Sequence, residues 1–288
     1  MQSSLLSRHT QPLGVTAALS YLAAGADNPV SYAYTPPPGQ PWESAQYESR
    51  QCFIADGRQA DPDDPQSLDN NGFLLADAPT AVSDFGDEDQ ILTTYYAEAI
   101  ELALQATGGT HAYVFDHLVR RREAGRVPLS FGRKAPGGPP AANGRIHNDY
   151  TEQSGRRRLA LLLQDSDLMP FVQHFSIINI WRSIKGPVQD TPLAVCDARS
   201  VSQLELVRGE VRYPKRTGEI YQLRHAPHHR WSYFSLMDRH EALMFKQYDS
   251  RTHGVARFTP HAAFDLPQIP AGAPLRESIE LRCLVVHA

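Results

Sequence analysis

The stretch GRIHNDYT, residues 144–151, places a histidine and an aspartate two positions apart, at His147 and Asp149. Side chains alternate between the two faces of a strand, so both side chains point to one face if this stretch is extended. Two ligands can then meet one metal ion without a bend in the backbone. A surface hydrogen-bonding pair would have the same spacing, and a chain with 12 histidines forms such pairs by chance. A metal site therefore needs a third ligand from elsewhere.

The histidines downstream of Asp149 are the candidates for this third ligand. We favour His261, which lies in the stretch RFTPHAAF between Phe258 and Phe264. Pro260 stiffens the backbone before it, and the apolar setting would hold the ring in place. A hydrogen-bonded core histidine would fit the same setting. The other candidates are His174, His225, His228, His229, His240, His253 and His287.

A strand further downstream, in the stretch PLRESIELRCLVV, carries Arg276 and Ser278 on one face. Two histidines and one carboxylate with open positions form the ligand set of non-haem Fe(II) oxygenases. Such an iron needs an electron-donating co-substrate, and 2-oxoglutarate needs a buried cation for its far carboxylate. An arginine fork and a hydroxyl two residues apart can supply that anchor, although a surface Arg and Ser on an edge strand would have the same spacing. The ordered set His-x-Asp, His, Arg-x-Ser is more specific than any of its parts.

Composition restricts the class of protein. The chain has 28 Lys and Arg against 32 Asp and Glu, a net charge of −4, which gives no electrostatic reason to expect nucleic acid or an anionic membrane as partner. Three cysteines without CxxC spacing favour free thiols in a reducing compartment. No apolar run approaches the roughly 20 residues that span a bilayer, and the N-terminus lacks a signal-peptide pattern. We expect a cytoplasmic protein.

Helical patterns precede strand patterns along the chain. Residues 1–50 look irregular, whereas residues 83–109 have the periodicity of a helix that ends at the Gly108-Gly109 pair. A Pro/Gly-rich loop at 134–144 and a second helix near 152–164 follow, and then many short strands separated by turns. This order favours an α+β fold, with an antiparallel barrel or sandwich and helices packed on one side. We expect a single domain over residues 1–288.

Long stretches of the chain resemble the Fe(II)/2-oxoglutarate-dependent oxygenases, and within them the AsaB-like hydroxylase/desaturase family, which includes gibberellin desaturase-like and CmcJ-like proteins. One departure is Asn148, where the family more often has an apolar residue, and the strand alternation points Asn148 away from the metal. The stretches that carry the resemblance are NNGFLLADAPTAVSDF, YVFDHLVRR, HNDYT, NIWRSIKGPVQDTPLAVCDARSV, HHRWSYFSLMDRHEALMFKQYDSR, ARFTPHAAF and RESIELRCLVV.

The resemblance implies a double-stranded β-helix (jelly-roll) core with N-terminal buttressing helices. It places N-terminal strands and a helix in residues 1–109 and the jelly-roll core, with an inserted helix, in residues 110–288. Arg282 shares the strand parity of Arg276, so both arginines are candidates for the 2-oxoglutarate anchor. The implied site residues are His147, Asp149 and His261 for Fe(II), and Arg276, Ser278 and Arg282 for 2-oxoglutarate.

The implied activity is oxidation of a small natural-product or amino-acid-derived substrate by O2, with conversion of 2-oxoglutarate to succinate and CO2. Hydroxylation, desaturation and cyclisation depend on small differences in substrate placement, so the sequence does not separate them. In FSIINIWRSI, alternation puts Asn179 and Trp181 on one face and Arg182 on the other. These three residues and Trp231 are candidates for substrate contact. Arg182 could instead pair with a buried acid, Asp190 or Asp197, and strand aromatics are more often core.

Other functions remain open at the level of sequence, and no oligomeric state is predicted. A non-catalytic, cupin-like binding module would keep the metal ligands but would not need Arg276 or Ser278. A zinc hydrolase could use two histidines and an aspartate with an open position, but it would also need a general-base carboxylate. A catalytically idle partner subunit would bind iron and need a second protein for turnover.

Overall fold

Strands account for most of the regular structure, and helices are few. The computed structural model describes residues 14–123, 125, 128–133 and 140–288. Within these residues the strands are β1 (Gly14–Leu22), β2 (Val30–Tyr32), β3 (Tyr47–Asp56), β4 (Phe73–Asp77), β5 (His111–Arg121), β6 (His147–Asn148), β7 (His174–Ser183), β8 (Leu193–Cys196), β9 (Leu206–Arg212), β10 (Thr217–Leu223), β11 (Trp231–Tyr233), β12 (Glu241–Asp249), β13 (His261–Ala263) and β14 (Glu277–His287).

The described strands pair into two sheets. The larger has nine strands in the order β1-β3-β11-β8-β13-β6-β10-β9-β2, and the smaller has five in the order β4-β12-β7-β14-β5. Pairing is antiparallel apart from the β3–β11 and β2–β9 contacts, which are parallel. Neighbours such as β6 and β13 come from distant parts of the chain, as in jelly-roll topology. The predicted double-stranded β-helix core is confirmed.

Alternating side chains divide the strands between different apolar layers. In β8, Leu193 and Val195 pack with Trp181 of β7 in the layer between the sheets. In β7, Ile178 and Ile180 point the other way and pack against the N-terminal helix. The alternation predicted for FSIINIWRSI is therefore confirmed, and it directs Asn179 and Trp181 towards the inside of the barrel.

The helices support the sheets from outside. One helical run begins after Asp87, whose side chain accepts bonds from backbone N–H groups, and ends at Gly108 in the left-handed region, with φ of 67°. No described helix is both long and apolar enough to cross a membrane. The helical segments are α1 (Glu88–Gln90), a π-helical turn (Ile91–Tyr95), α2 (Tyr96–Thr107), α3 (Glu152–Leu163) and 3-10 turns at Gly57–Gln59, Met169–Phe171, Ala198–Ser200 and Gln203–Glu205.

The N-terminal region corrects one expectation. Residues 1–50 were predicted to be irregular, but β1 pairs with β3 along its whole length, from Gly14 opposite Ala55 to Leu22 opposite Tyr47. The stretch GVTAALSYL is rich in small residues with weak strand preference, so neighbouring strands decide its conformation. Residues 1–13 and 134–139, the latter part of the predicted loop, lie outside the described residues.

Candidate metal centre

Strand pairing brings two histidines face to face. β6 and β13 are antiparallel neighbours, and His147 lies directly opposite His261. Residues in such a position have Cβ atoms about 4.5–5.5 Å apart, and here the ring centroids are 4.3 Å apart. Asp149 follows β6, with its Oδ1 3.5 Å from Nε2 of His147. One ligand atom of each residue lies within 4.8 Å of the other two, so all three could bind one ion.

Backbone carbonyls determine which histidine nitrogen faces this centre. Nδ1 of His147 donates to the carbonyl oxygen of Arg145 at 2.8 Å, and Nδ1 of His261 lies 3.4 Å from that of Thr259. A ring that donates through Nδ1 leaves Nε2 unprotonated and available to a metal. Burial, together with the neighbouring His147, holds the pKa of His261 well below its ordinary value. His261 is therefore neutral at pH 7, as a ligand must be.

The Asp149 carboxylate is held by one oxygen. Its Oδ2 accepts hydrogen bonds from Nδ2 of Asn179 and Nε of Arg282, both at 2.8 Å, so Oδ1 is the oxygen that faces the histidines. Burial alone would raise the pKa of the Asp149 carboxyl, but Arg282 and His147 outweigh it and hold that pKa well below its usual value. The donor set is thus two imidazoles and one single-oxygen carboxylate, which fits Fe(II) with open positions.

Arg276 lies beside this centre with part of its guanidinium unused. The residue is 3% exposed, and Nη1 donates to the carbonyl of Thr191 at 3.1 Å. Nε of Arg276 has no hydrogen-bond partner among the described residues. Burial lowers the pKa of Arg276 to about 10, so the side chain keeps its charge at neutral pH. A buried cation with a free donor is a suitable anchor for a carboxylate.

The internal space between Arg276 and the histidines is small. Its volume is about 20 Å³, and His147, His261 and Trp181 are among the residues that line it. This volume is room for about one water molecule. Binding of 2-oxoglutarate at this position therefore requires lining side chains to turn, and Trp181, whose ring lies 5.7 Å from the Arg276 guanidinium, is the largest of them.

Arg282 is fully engaged, in contrast to Arg276. Its guanidinium donates to Asp149 at 2.8 Å, to Asp116 at 2.9 Å and to Glu280 at 3.0 Å. Burial would lower the pKa of Arg282, but the three carboxylates raise it well above its ordinary value. These contacts fit a residue that positions Asp149. Ser278 is buried and lies on the same face of β14 as Glu280, and Arg276 immediately precedes this strand.

Two of the predicted substrate contacts lie away from the centre. Arg182 points towards the helical side, where Nε donates to the Tyr95 hydroxyl at 2.9 Å and Nη1 donates to the Ala78 carbonyl at 2.9 Å. Trp231 donates through Nε1 to the Tyr21 hydroxyl at 2.7 Å, in a different apolar cluster. These contacts match structural roles, and these partners of Arg182 are a hydroxyl and a carbonyl, where the sequence predicted a carboxylate. Asn179 and Trp181, by contrast, are brought to the centre.

Two buried amides that sequence reasoning did not assign join the ligand-bearing segments. Gln247 accepts from the backbone N–H of Asp149 at 2.7 Å and donates to the Thr259 carbonyl at 2.9 Å. Asn148 donates to the backbone carbonyls of Tyr150 and Gln247 and accepts from the Thr259 N–H at 3.0 Å. Asn148 thus points away from the centre, as its strand position predicts. The polar residue at position 148, where the family more often has an apolar one, was the one feature of the sequence that could have indicated this role of Asn148.

Comparison with known proteins identifies the family. Residues 19–286 match the family described as "Oxidoreductase/YMDC permease-like domain". The chain is 35% identical to the hydroxylase/desaturase efuI of Hormonema carpetanum, over 76% of this chain and 78% of efuI. It is 28% identical to the Fe(II)/2-oxoglutarate-dependent dioxygenase nvfI of Aspergillus novofumigatus, over 91% of this chain and 92% of nvfI. This chain belongs to the Fe(II)/2-oxoglutarate-dependent oxygenases of the hydroxylase/desaturase family.

Solved structures agree with this assignment. The oxygenase superposes on the iron and alpha-ketoglutarate-dependent endoperoxidase NvfI with a TM-score of 0.79 and 25% identity, over 96% of this chain and 100% of NvfI. The predicted family, jelly-roll fold and enzymatic class are confirmed, and the non-catalytic binding module is disfavoured. The roles of individual residues stay predictions.

The structural role of Arg182 in the oxygenase can be tested by substitution. Arg182→Met leaves the Ala78 and Arg239 carbonyls and the Tyr95 hydroxyl without their Arg182 donor. We therefore expect the free energy of unfolding to fall by about 3 kcal/mol. The KM for 2-oxoglutarate should not change. Urea unfolding and steady-state kinetics measure the two quantities. The exposed control Lys185→Met should change stability by less than about 0.5 kcal/mol. An unchanged stability would contradict the structural role of Arg182. A raised KM for 2-oxoglutarate would instead place Arg182 in the binding site.

Asn148 gives the second prediction. Asn148→Leu keeps the size of the side chain but leaves the Thr259 N–H and two carbonyls unpaired in the core. We expect unfolding free energy to fall by about 3 kcal/mol. Because Thr259 lies two residues before His261, Fe(II) affinity should also fall, by about 10–100-fold. Asn70→Leu, on the exposed surface, is the control for both measurements. Normal Fe(II) affinity in Asn148→Leu would mean that the amide does not position the ligands.

Proposed function

We propose that the oxygenase binds Fe(II) through His147, Asp149 and His261 and anchors the far carboxylate of 2-oxoglutarate on Arg276, with Ser278 beside it. The observation that carries this proposal is the convergence of three ligand atoms next to a buried guanidinium with an unused donor. A binding module or a hydrolase has no need of that guanidinium. When bound, Fe(II) with 2-oxoglutarate and O2 supplies the oxidising power that breaks an unactivated C–H bond and yields succinate and CO2.

The protein's part in this reaction is to hold geometry and exclude water. Asn179 and Arg282 fix the Asp149 carboxylate, so that one oxygen remains for the metal. Phe245 packs against His261, with ring centroids 4.7 Å apart, and is itself buried. The dry apolar wall limits access of bulk water to the reacting atoms.

We propose that the substrate is a small molecule that enters between β5 and the β9–β10 pair. A cavity of about 320 Å³ reaches His147 and Asp149, and a neighbouring cavity of about 540 Å³ also reaches Asp149. Both volumes are in the range of small-molecule sites. Of the predicted substrate contacts, Asn179 bonds to Asp149 and Trp181 lines the small space beside Arg276, so these two stay the substrate-side candidates. The larger cavity beside Trp231, of about 870 Å³, does not include the metal-centre residues.

The class of oxidation follows from substrate placement. The relatives' names include hydroxylase/desaturase and endoperoxidase, so related chains carry different outcomes. A natural-product or amino-acid-derived substrate, and its hydroxylation, desaturation or cyclisation, are the options we propose here. We also propose that residues 1–288 act as one domain in the cytoplasm. Strands before residue 110 join both sheets, and the three cysteines are free, which suits a reducing compartment.

Succinate formation tests this function. Metal-depleted protein is supplied with Fe(II), 2-oxoglutarate and O2, and succinate is measured beside a Zn(II)-loaded sample. We expect O2-dependent succinate in the Fe(II) sample and none above background in the Zn(II) sample. Metal binding without succinate would favour the cupin-like module or an idle partner subunit.

A further inference from the structure

A second group of metal-ligating side chains lies outside the iron centre. It is formed by Glu205, the last residue of the 3-10 turn before β9, and by His228 and His229, in the turn between β10 and β11. Nε2 of His228 lies 3.0 Å from one Glu205 oxygen, and Nε2 of His229 lies 3.0 Å from the other. One ligand atom from each residue lies within 4.8 Å of the others. The stretch RHAPHHRW therefore supplies two imidazoles that the iron centre does not use.

Surrounding contacts hold His229 in place. Its side chain is 1% exposed, and Nδ1 lies 3.1 Å from the Tyr21 hydroxyl. The Tyr21 ring stacks on the imidazole, and its hydroxyl also accepts a hydrogen bond from Nε1 of Trp231 at 2.7 Å. A fixed partner on the second ring nitrogen is the usual companion of a metal-binding histidine. His229 thus presents Nε2 in one orientation.

Glu205 is also fixed, while His228 keeps the cluster open to solvent. The Glu205 carboxylate accepts from the backbone N–H of Ser202 at 2.8 Å, and its side chain is 16% exposed. The His228 side chain is 57% exposed. An ion from solution can therefore reach two anchored ligands and recruit the third. Two imidazoles and one carboxylate with an open position for water suit Zn²⁺.

We propose that Glu205, His228 and His229 form a second site for a divalent transition metal of the Zn²⁺ type, separate from the iron centre. The ion would link the β10–β11 turn to the 3-10 turn before β9 and, through His229, to Tyr21 of β1. An ion that binds the folded chain and not the unfolded chain stabilises the fold. The site uses none of the residues assigned to iron or 2-oxoglutarate. The proposal of a second metal site is therefore independent of the proposed iron site.

Metal stoichiometry tests the second site. The metal-free full chain is dialysed against Zn²⁺ alone, and bound zinc is measured by mass spectrometry. We expect two ions per chain in the wild type and in the exposed loop control His253→Ala. We expect one ion in His228→Ala, one in His261→Ala, and none in the variant that carries both His228→Ala and His261→Ala. Two ions retained in His228→Ala, or the same single ion in wild type and His228→Ala, would overturn the proposal.

Thermal unfolding provides a second readout that does not depend on activity. In the His261→Ala background, Zn²⁺ should raise the melting temperature, and the added His228→Ala substitution should abolish that shift. Because His228 is exposed, its substitution should leave the circular dichroism spectrum unchanged, which controls for misfolding. A zinc-induced shift of equal size in the double variant would contradict a site at His228.

Discussion

His261→Ala is expected to lower Fe(II) affinity and 2-oxoglutarate turnover by at least about 100-fold, because loss of a mere supporting partner of a metal ligand already costs 10–100-fold. His261 is 2% exposed and lies directly opposite His147, so no solvent-side residue can take its place. Fe(II) binding by equilibrium dialysis and succinate formation measure the two effects.

The matched control is His253→Ala, which removes an exposed histidine from the loop that precedes His261. It should keep wild-type iron binding and turnover. Circular dichroism of His261→Ala separates a lost ligand from a lost fold. A folded His261→Ala variant with wild-type Fe(II) affinity would remove His261 from the ligand set.

Arg276→Ala is expected to raise the KM for 2-oxoglutarate by about 100-fold, since loss of one partner of a buried, hydrogen-bonded charge pair costs about 2–5 kcal/mol. Fe(II) affinity should stay within a few-fold of wild type, because Arg276 bonds to Asp190 and to the Thr191 carbonyl and not to a ligand side chain among the described residues. Arg276→Lys should have an intermediate effect, since an ammonium keeps the charge but lacks the planar fork.

Two further variants complete the Arg276 experiment. Arg121→Ala removes an exposed arginine whose partner is Glu277, and it should leave the KM unchanged. Arg282→Ala should lower Fe(II) affinity, because it frees the Asp149 carboxylate. If Arg282→Ala raised the KM for 2-oxoglutarate more than Arg276→Ala did, the anchor and positioning roles of the two arginines would be exchanged.

Local periodicity predicted part of the arrangement at the candidate site. Although the strand expected to carry both His147 and Asp149 ends at Asn148, the parity of Asn179 against Arg182 follows from strand geometry alone. The pairing of β6 with β13 does not, because it joins residues 114 positions apart through the topology of the whole sheet. The family resemblance, which rests on long stretches, supplied the fold that local patterns left as a barrel or sandwich.

Contacts between distant residues account for what sequence reasoning missed. Asn148 bonds to Gln247 and Thr259, which lie 99 and 111 residues away. The partners of Arg182 likewise depend on where the N-terminal helix packs against β7. Strand β1 was missed because its Ala and Ser residues have little intrinsic preference and gain their conformation from pairing with β3.

The most direct test of the central claim is anaerobic reconstitution with Fe(II), followed by addition of 2-oxoglutarate and measurement of the visible charge-transfer absorption of the chelate. We predict a band in the wild type that is lost in both His261→Ala and Arg276→Ala at 2-oxoglutarate concentrations near the wild-type KM. No band in the wild type, or a full band in both variants, would contradict the assigned iron and 2-oxoglutarate site.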